Sequence, residues 1–165
     1  MLTPVIKGAA NDLQLSDLGA LSYEKTLVLV ATDGSEPAVR ATQHAVVLAG
    51  LLGARLRAIH VNMGLEELAL PEPPVSEAAY ERLDPGIKGL VVAQRLAELN
   101  GVECALEVAK GGVARNIIGV ALREGAGLIV LGDTGRTGLS RLALGSVAEA
   151  VVKASAIPVL VVKAR

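Results

Sequence analysis

The 165-residue chain has room for one domain with a sizeable core, and a second domain of ordinary size does not fit. Its 16 Lys and Arg nearly balance 17 Asp and Glu, for a formal charge of -1, which argues against a broad nucleic-acid footprint and makes any anion site local. Phe and Trp are absent and Tyr23 and Tyr80 are the only aromatics, so the core must come from Val, Leu, Ile and Ala, and stacking platforms for single-stranded nucleic acid are missing.

The lone Cys104 excludes an intrachain disulfide or a multi-cysteine metal site and fits a reducing compartment. No apolar run reaches the roughly 18 residues of a membrane helix. The N-terminal residues show no cationic flank followed by a sustained apolar segment. The expectation is a cytoplasmic protein with neither a membrane nor a nucleic acid as partner.

Along the chain, residues 1–24 show no period and read as an arm, poorly ordered or loosely packed, ahead of a domain spanning 25–165. Residues 26–31 (TLVLVA) are apolar on both faces after the first position, as a central strand of a parallel sheet is. Ser35 is placed to cap the helix that follows and Pro37 suits its first turn; Ala38, Ala41, Ala45, Leu48, Ala49 and Leu52 mark its inner face, and Gly53 ends it. A second strand over 56–61 leads into a long connection, 62–85, punctuated by Pro71, Pro73 and Pro74, with helical potential over 76–83.

A helix over 87–99, closed by Asn100 and Gly101, precedes a strand over 102–108 whose apolar–polar alternation suits a sheet edge. A further helix carries Ile117, Ile118, Ala121 and Leu122. The apolar run 127–131 then reads as a buried strand, the stretch GDTGRTGLSRLALGS over 132–146 as a glycine-rich connection, and 147–152 as a helix. In that connection Gly132, Gly135 and Gly138 leave room for a ligand against the backbone, and Gly145 with Ser146 promises unpaired amides and a hydroxyl at a helix start, a surface suited to phosphate. The last strand covers 157–162, from Ile157 to Val162, with Pro158 near its start.

Strand and helix alternate throughout, which calls for right-handed crossovers and a doubly wound α/β domain, a parallel sheet with helices on both faces. Ligands of such sheets bind beyond the carboxyl ends of the strands, where the winding reverses. Asp33 and the glycine-rich loop meet there if their strands are neighbours. The final strand is apolar on both faces, and an uncovered apolar edge invites association, so a homodimer through 157–162 is expected.

Three segments taken together, LVATDGS over 29–35, Ile59-His60-Val61, and Gly132-x2-Gly135-x9-Gly145-Ser146, resemble the universal stress protein family over residues 25–165. The spaced glycines match the ATP-binding branch of that family. The resemblance implies a Rossmann-like, five-stranded parallel sheet in the order 3-2-1-4-5. It also implies that Asp33 accepts from the adenine amino group, with Ala31 and Thr32 lining the same pocket, and that the Val61 backbone meets the base. Gly132 and Gly135 would flank ribose and phosphates, while Gly145, Ser146 and the Val147 amide would hold the β and γ phosphates of ATP, often with Mg2+ or Mn2+. Asp133 would repel phosphate unless it turns away or helps hold a cation, and Arg136 and Arg141 are placed to offset it.

Other readings stand beside this one. No G-x4-G-K-[ST], G-x-G-x-x-G, G-x-S-x-G or H-E-x-x-H signature is present, and no metal-ligand set is assigned. A slow ATP hydrolase with Asp33 or Asp133 orienting water or metal, and a nucleotide-free interaction module, are the alternatives to a regulatory nucleotide binder. Ser146 also reads simply as a helix cap, His44 and His60 as structural, Cys104 as a small core residue, and Arg55 and Arg57 as solvated charges.

Overall fold

In the computed structural model, which describes residues 5–6, 13–14, 27–136 and 144–163, the arm contributes β1 (Val5–Ile6) and β2 (Leu13–Gln14), paired antiparallel. The rest of the 1–24 arm lies outside the described residues, as do Gly138 and Arg141. The domain then runs β3 (Leu27–Ala31), α1 (Glu36–Leu52), β4 (Arg55–Asn62), α2 (Glu77–Glu81), α3 (Pro85–Leu99), β5 (Cys104–Lys110), α4 (Val113–Arg123), β6 (Ala126–Gly132), α5 (Ser146–Ala154) and β7 (Val159–Val162). β3 to β7 form a five-stranded, all-parallel sheet in the order β5-β4-β3-β6-β7. Counted in chain order within that sheet this is 3-2-1-4-5, as the resemblance implies.

The two-residue period of the strands sorts side chains into two layers. Val28 and Val30 of β3, with Leu56 and Ala58 of β4, pack against α1 and α3. Leu27, Leu29, Ile59 and Ile129 face α4 and α5 on the other side. β3 is buried on both faces because it is the middle strand, which explains its unbroken apolar run. Among the described residues, no helix is long and apolar enough to cross a membrane.

Helix ends form where the side chains dictate. Ser35 Oγ accepts from the Ala38 amide (3.4 Å), Ser76 Oγ from the Ala79 amide (3.3 Å) and Asp84 Oδ1 from the Gly86 amide (2.7 Å), with Pro37 and Pro85 in the first turns of α1 and α3. Gly53 closes α1. The inner stripe of α1 keeps Ala38, Ala41, Ala45 and Ala49 as expected from sequence, but Thr42 and Val46 take the places expected of Leu48 and Leu52. Its centre is rotated toward Thr42 and Val46, so Leu48 lies on the shoulder, half-buried, and Leu52 of the last turn is exposed. Leu122 of α4 likewise faces outward.

Arg57 is not a solvated charge. It projects from β4 on the α4 side, donating to Glu107 of β5 (3.0 Å) and to Glu124 (3.0 Å), the residue that ends α4. Arg123 bonds the same two carboxylates (2.9 and 3.0 Å). Glu124 sits at the negative end of the α4 dipole, an unfavourable place for a carboxylate, and the two guanidinium groups offset that. Arg57→Ala leaves both carboxylates with less cover; since Arg57 is one-fifth exposed, the expected loss is about 1–3 kcal/mol. Urea unfolding measures it against Arg95→Ala, whose pair is exposed and whose change should stay within about 0.5 kcal/mol.

Cys104, at the start of edge strand β5, is half-buried and packs on the α1–α3 side of the core. Burial pushes its thiol up from 9.0 to about 11. Because the folded value lies above the unfolded one, this group favours folding below about pH 9 and the contribution is lost as pH rises toward about 11. At pH 8 the native thiol should react with iodoacetamide on the order of a hundredfold more slowly than in urea, a contrast that timed alkylation with mass spectrometry reads directly.

Candidate functional site

β3 and β6 are neighbours, yet the chain leaves β3 for α1 on one face of the sheet and β6 for α5 on the other. That divergence opens a crevice at the carboxyl ends of the strands. A cavity of about 360 Å³ occupies it. Ala31, Thr32, Asp33, Val61, Gly132, Gly135, Arg136, Gly145, Ser146 and Val147 all border this cavity, so every site residue expected from sequence that is described is brought together. Gly138 lies outside the described residues.

Asp33 ties the two loops that bound the crevice. Its Oδ1 accepts from the Ser35 amide (3.0 Å) on its own side, and its Oδ2 accepts from the Arg136 amide (3.0 Å) across the opening. Gly135 makes that approach possible, since a Cβ there would stand 2.8 Å from Oδ2. Gly132 is needed for a different contact: a Cβ would lie 2.9 Å from the carbonyl carbon and Cβ of Pro37, where the end of β6 passes the first turn of α1.

The α5 end corrects two expectations. Gly145 does not offer its amide to a ligand, because it donates to the Asp133 carbonyl (2.7 Å), and Ser146 is the first residue inside the helix, not its cap. Gly145 takes the cap position and its carbonyl accepts the first helical bond from Glu149 (2.9 Å). The amides of Ser146, Val147 and Ala148 therefore form the first turn, with no acceptor inside the helix, and all three residues border the cavity. They and the helix dipole make that end anion-seeking.

Asp133 is held by its backbone, the amide donating to the Val162 carbonyl of β7 (2.9 Å), while its Oδ1 accepts from Thr134 Oγ1 (3.3 Å). Asp33, Asp133 and Arg136 are the charged residues bordering the cavity among those described. Among the described residues there is also no group of three or more His, Cys, Asp or Glu placed to hold a metal ion.

Sequence reasoning missed the apolar wall. Ile59, Met63, Val113, Ile117 and Leu131 line the opposite part of the cavity, together with Val61. Ile117 had a visible helical period, but nothing in the sequence said that its helix would face the crevice; Met63, largely exposed after β4, carried no signal at all.

A model of the universal stress protein family matches residues 26–163. The chain belongs to that family. A universal stress protein of Methanocaldococcus jannaschii is 39% identical over 142 residues, covering 86% of this chain and 82% of that protein. Universal stress protein UspA from Lactobacillus plantarum shares the fold with a TM-score of 0.63 at 28% identity, over 84% of this chain and 97% of that one. A universal stress protein crystallised in complex with cAMP has a TM-score of 0.62 at 24% identity over 84% and 97% of the respective chains, a likeness in fold.

The glycine contacts of this universal stress protein fold yield a paired test. Gly132→Ala should lower stability by about 1–3 kcal/mol, because its Cβ meets backbone. Gly119→Ala, on the exposed side of α4 with nothing within 4 Å, should raise stability by up to about 1 kcal/mol. Thermal melts of both variants check the contrast.

Proposed function

We propose that this chain is an ATP-binding regulatory protein of the stress-response type, working in the cytoplasm as a homodimer. The observation that carries the reading is the Asp33 carboxylate sharing one cavity with an apolar wall and with the first-turn residues of α5, whose amides have no acceptor inside the helix. Such a cavity matches a ligand with a flat apolar base bearing an amino donor at one end and phosphate at the other. Val61, Met63 and Ile117 supply apolar cover for the base and Asp33 Oδ2 an acceptor for its amino group. Ser146, Val147 and Ala148 supply donors for phosphate oxygens, with Mg2+ or Mn2+ neutralising a polyphosphate beside Asp133. Ala31, Thr32, Gly132 and Gly135 form the floor between them.

The homodimer reading is supported by β7, which is an edge strand whose Val159, Leu160 and Val161 remain half-exposed. Pairing of two β7 edges would satisfy their outer backbone groups and cover those side chains. The carboxylate of Asp133 in the cavity favours a second reading, slow hydrolysis of bound ATP. Mg2+-dependent turnover lost in Asp133→Ala would support that reading.

Calorimetric titration with ATP, together with melting in its presence, tests the site. Binding confined to the folded state raises stability by about 2.7 kcal/mol at a hundredfold excess over Kd. AMP should bind at least about tenfold tighter than IMP, whose 6-carbonyl oxygen would face the Asp33 carboxylate with lone pairs in place of a donor. Gly145→Val should abolish binding, because a Cβ already stands 3.1 Å from the Asp133 carbonyl oxygen and 3.3 Å from Thr134 Cα. Retained ATP affinity in a folded Gly145→Val variant sinks the phosphate-loop assignment.

A further inference from the structure

Of the two histidines, His44 is exposed on α1, whereas the His60 side chain is only 6% exposed near the end of β4. A buried imidazole must have its polar atoms answered. Nδ1 stands 2.9 Å from the Thr32 carbonyl oxygen, and since a carbonyl can only accept, Nδ1 carries the hydrogen and donates. Nε2 faces Asp84 Oδ1 at 3.7 Å, the same oxygen that caps α3 through the Gly86 amide (2.7 Å).

The ring has no room to turn away. Gly86, in the first turn of α3, lies flat against it, and a Cβ there would come within 2.1–2.3 Å of Cε1, Nε2 and Nδ1. On the other side is the turn that delivers Asp33. The Thr32 amide donates to the Ile59 carbonyl (2.9 Å) and its Oγ1 accepts from the Gly34 amide (3.2 Å). With His60 on the carbonyl, all three polar groups of Thr32 are engaged, and the peptide plane leading into Asp33 is fixed.

The geometry points to His60 as a positioning residue for base recognition, holding the Thr32 carbonyl so that the Asp33 carboxylate faces the cavity. His60 also borders the cavity, but its ring nitrogens are turned to the Thr32 carbonyl and Asp84, so it acts through Thr32 and Asp33. The assignment rests on reading the cavity as an adenine-nucleotide site. It also makes the entry of α3, through Asp84 and Gly86, part of the support of the base-reading turn.

The test is titration of the full chain with AMP and with IMP, for the unaltered protein and for His60→Ala, His60→Asn and His60→Gln, alongside their melting temperatures. An Asn amide can donate from near the position of Nδ1, whereas a Gln amide sits nearer Nε2. His60→Ala and His60→Gln should weaken AMP about tenfold, the loss of one buried hydrogen bond, while leaving IMP nearly unchanged, so the AMP-over-IMP preference falls about tenfold. His60→Asn should restore most of that preference. A merely structural role would lower melting temperature and move both ligands together. A folded His60→Ala or His60→Gln that keeps the preference overturns the assignment while leaving the site intact. If His60→Ala does not fold, the Asn-against-Gln contrast decides. An unaltered protein that binds neither AMP nor ATP overturns the nucleotide site, and this assignment with it.

Discussion

The carboxylate of Asp33 joins two loops that the winding of the sheet drives apart. One leaves β3 toward α1 and the other leaves β6 toward α5, on opposite faces. Each carboxylate oxygen accepts a main-chain amide, one from Ser35 and one from Arg136. Hydrogen bonds to a charged group contribute roughly 1.5–3 kcal/mol when shielded and less at a half-exposed site such as this. That is enough to set where the loop after β6 begins, yet small beside the binding energy of a nucleotide. Under the proposed function, an arriving amino group would share or displace the Arg136 amide, and base recognition would meet the placement of the loop after β6 on one oxygen.

The surrounding packing serves that crevice. Alanines on the inner faces of α1 and α3 let both helices lie close to the sheet, and the glycines at 86, 132 and 135 remove the side chains that would hold the loops apart. With no Phe or Trp to fill volume, close approach of backbone takes the place of bulky cores. At the α4 end of the sheet, Arg57 and Arg123 balance Glu107 and Glu124, so charge there is consumed within the fold. At the α5 start, by contrast, three amides lack helical partners and face the cavity.

Two carboxylates, one guanidinium and the His60 imidazole border the cavity among the described residues. Binding that tightens the β3 and β6 loops would be transmitted to α1, α3 and α5, whose first turns all abut the crevice or the turn behind it. β7 joins the same system, because its Val162 carbonyl holds the Asp133 amide.

The sequence by itself determined the strand–helix alternation, the buried central run of β3, the caps at Ser35 and Gly53, and the glycine spacing that marks the crevice, since each rests on residues close together in the chain. Those local signals were enough to bring Asp33, residues 132–136 and residues 145–147 to one cavity. Tertiary structure alone decided that the Asp33 carboxylate meets the Arg136 amide 103 residues away, that Gly145 spends its amide on Asp133, and that Met63 and Ile117 form the apolar wall. It likewise turned Arg57 from a surface charge into the centre of an ion network and His60 into a brace for Thr32. Spacing along the chain fixes which residue follows which, whereas these contacts depend on strand register and on how closely helices approach the sheet, and only the assembled layers set those distances.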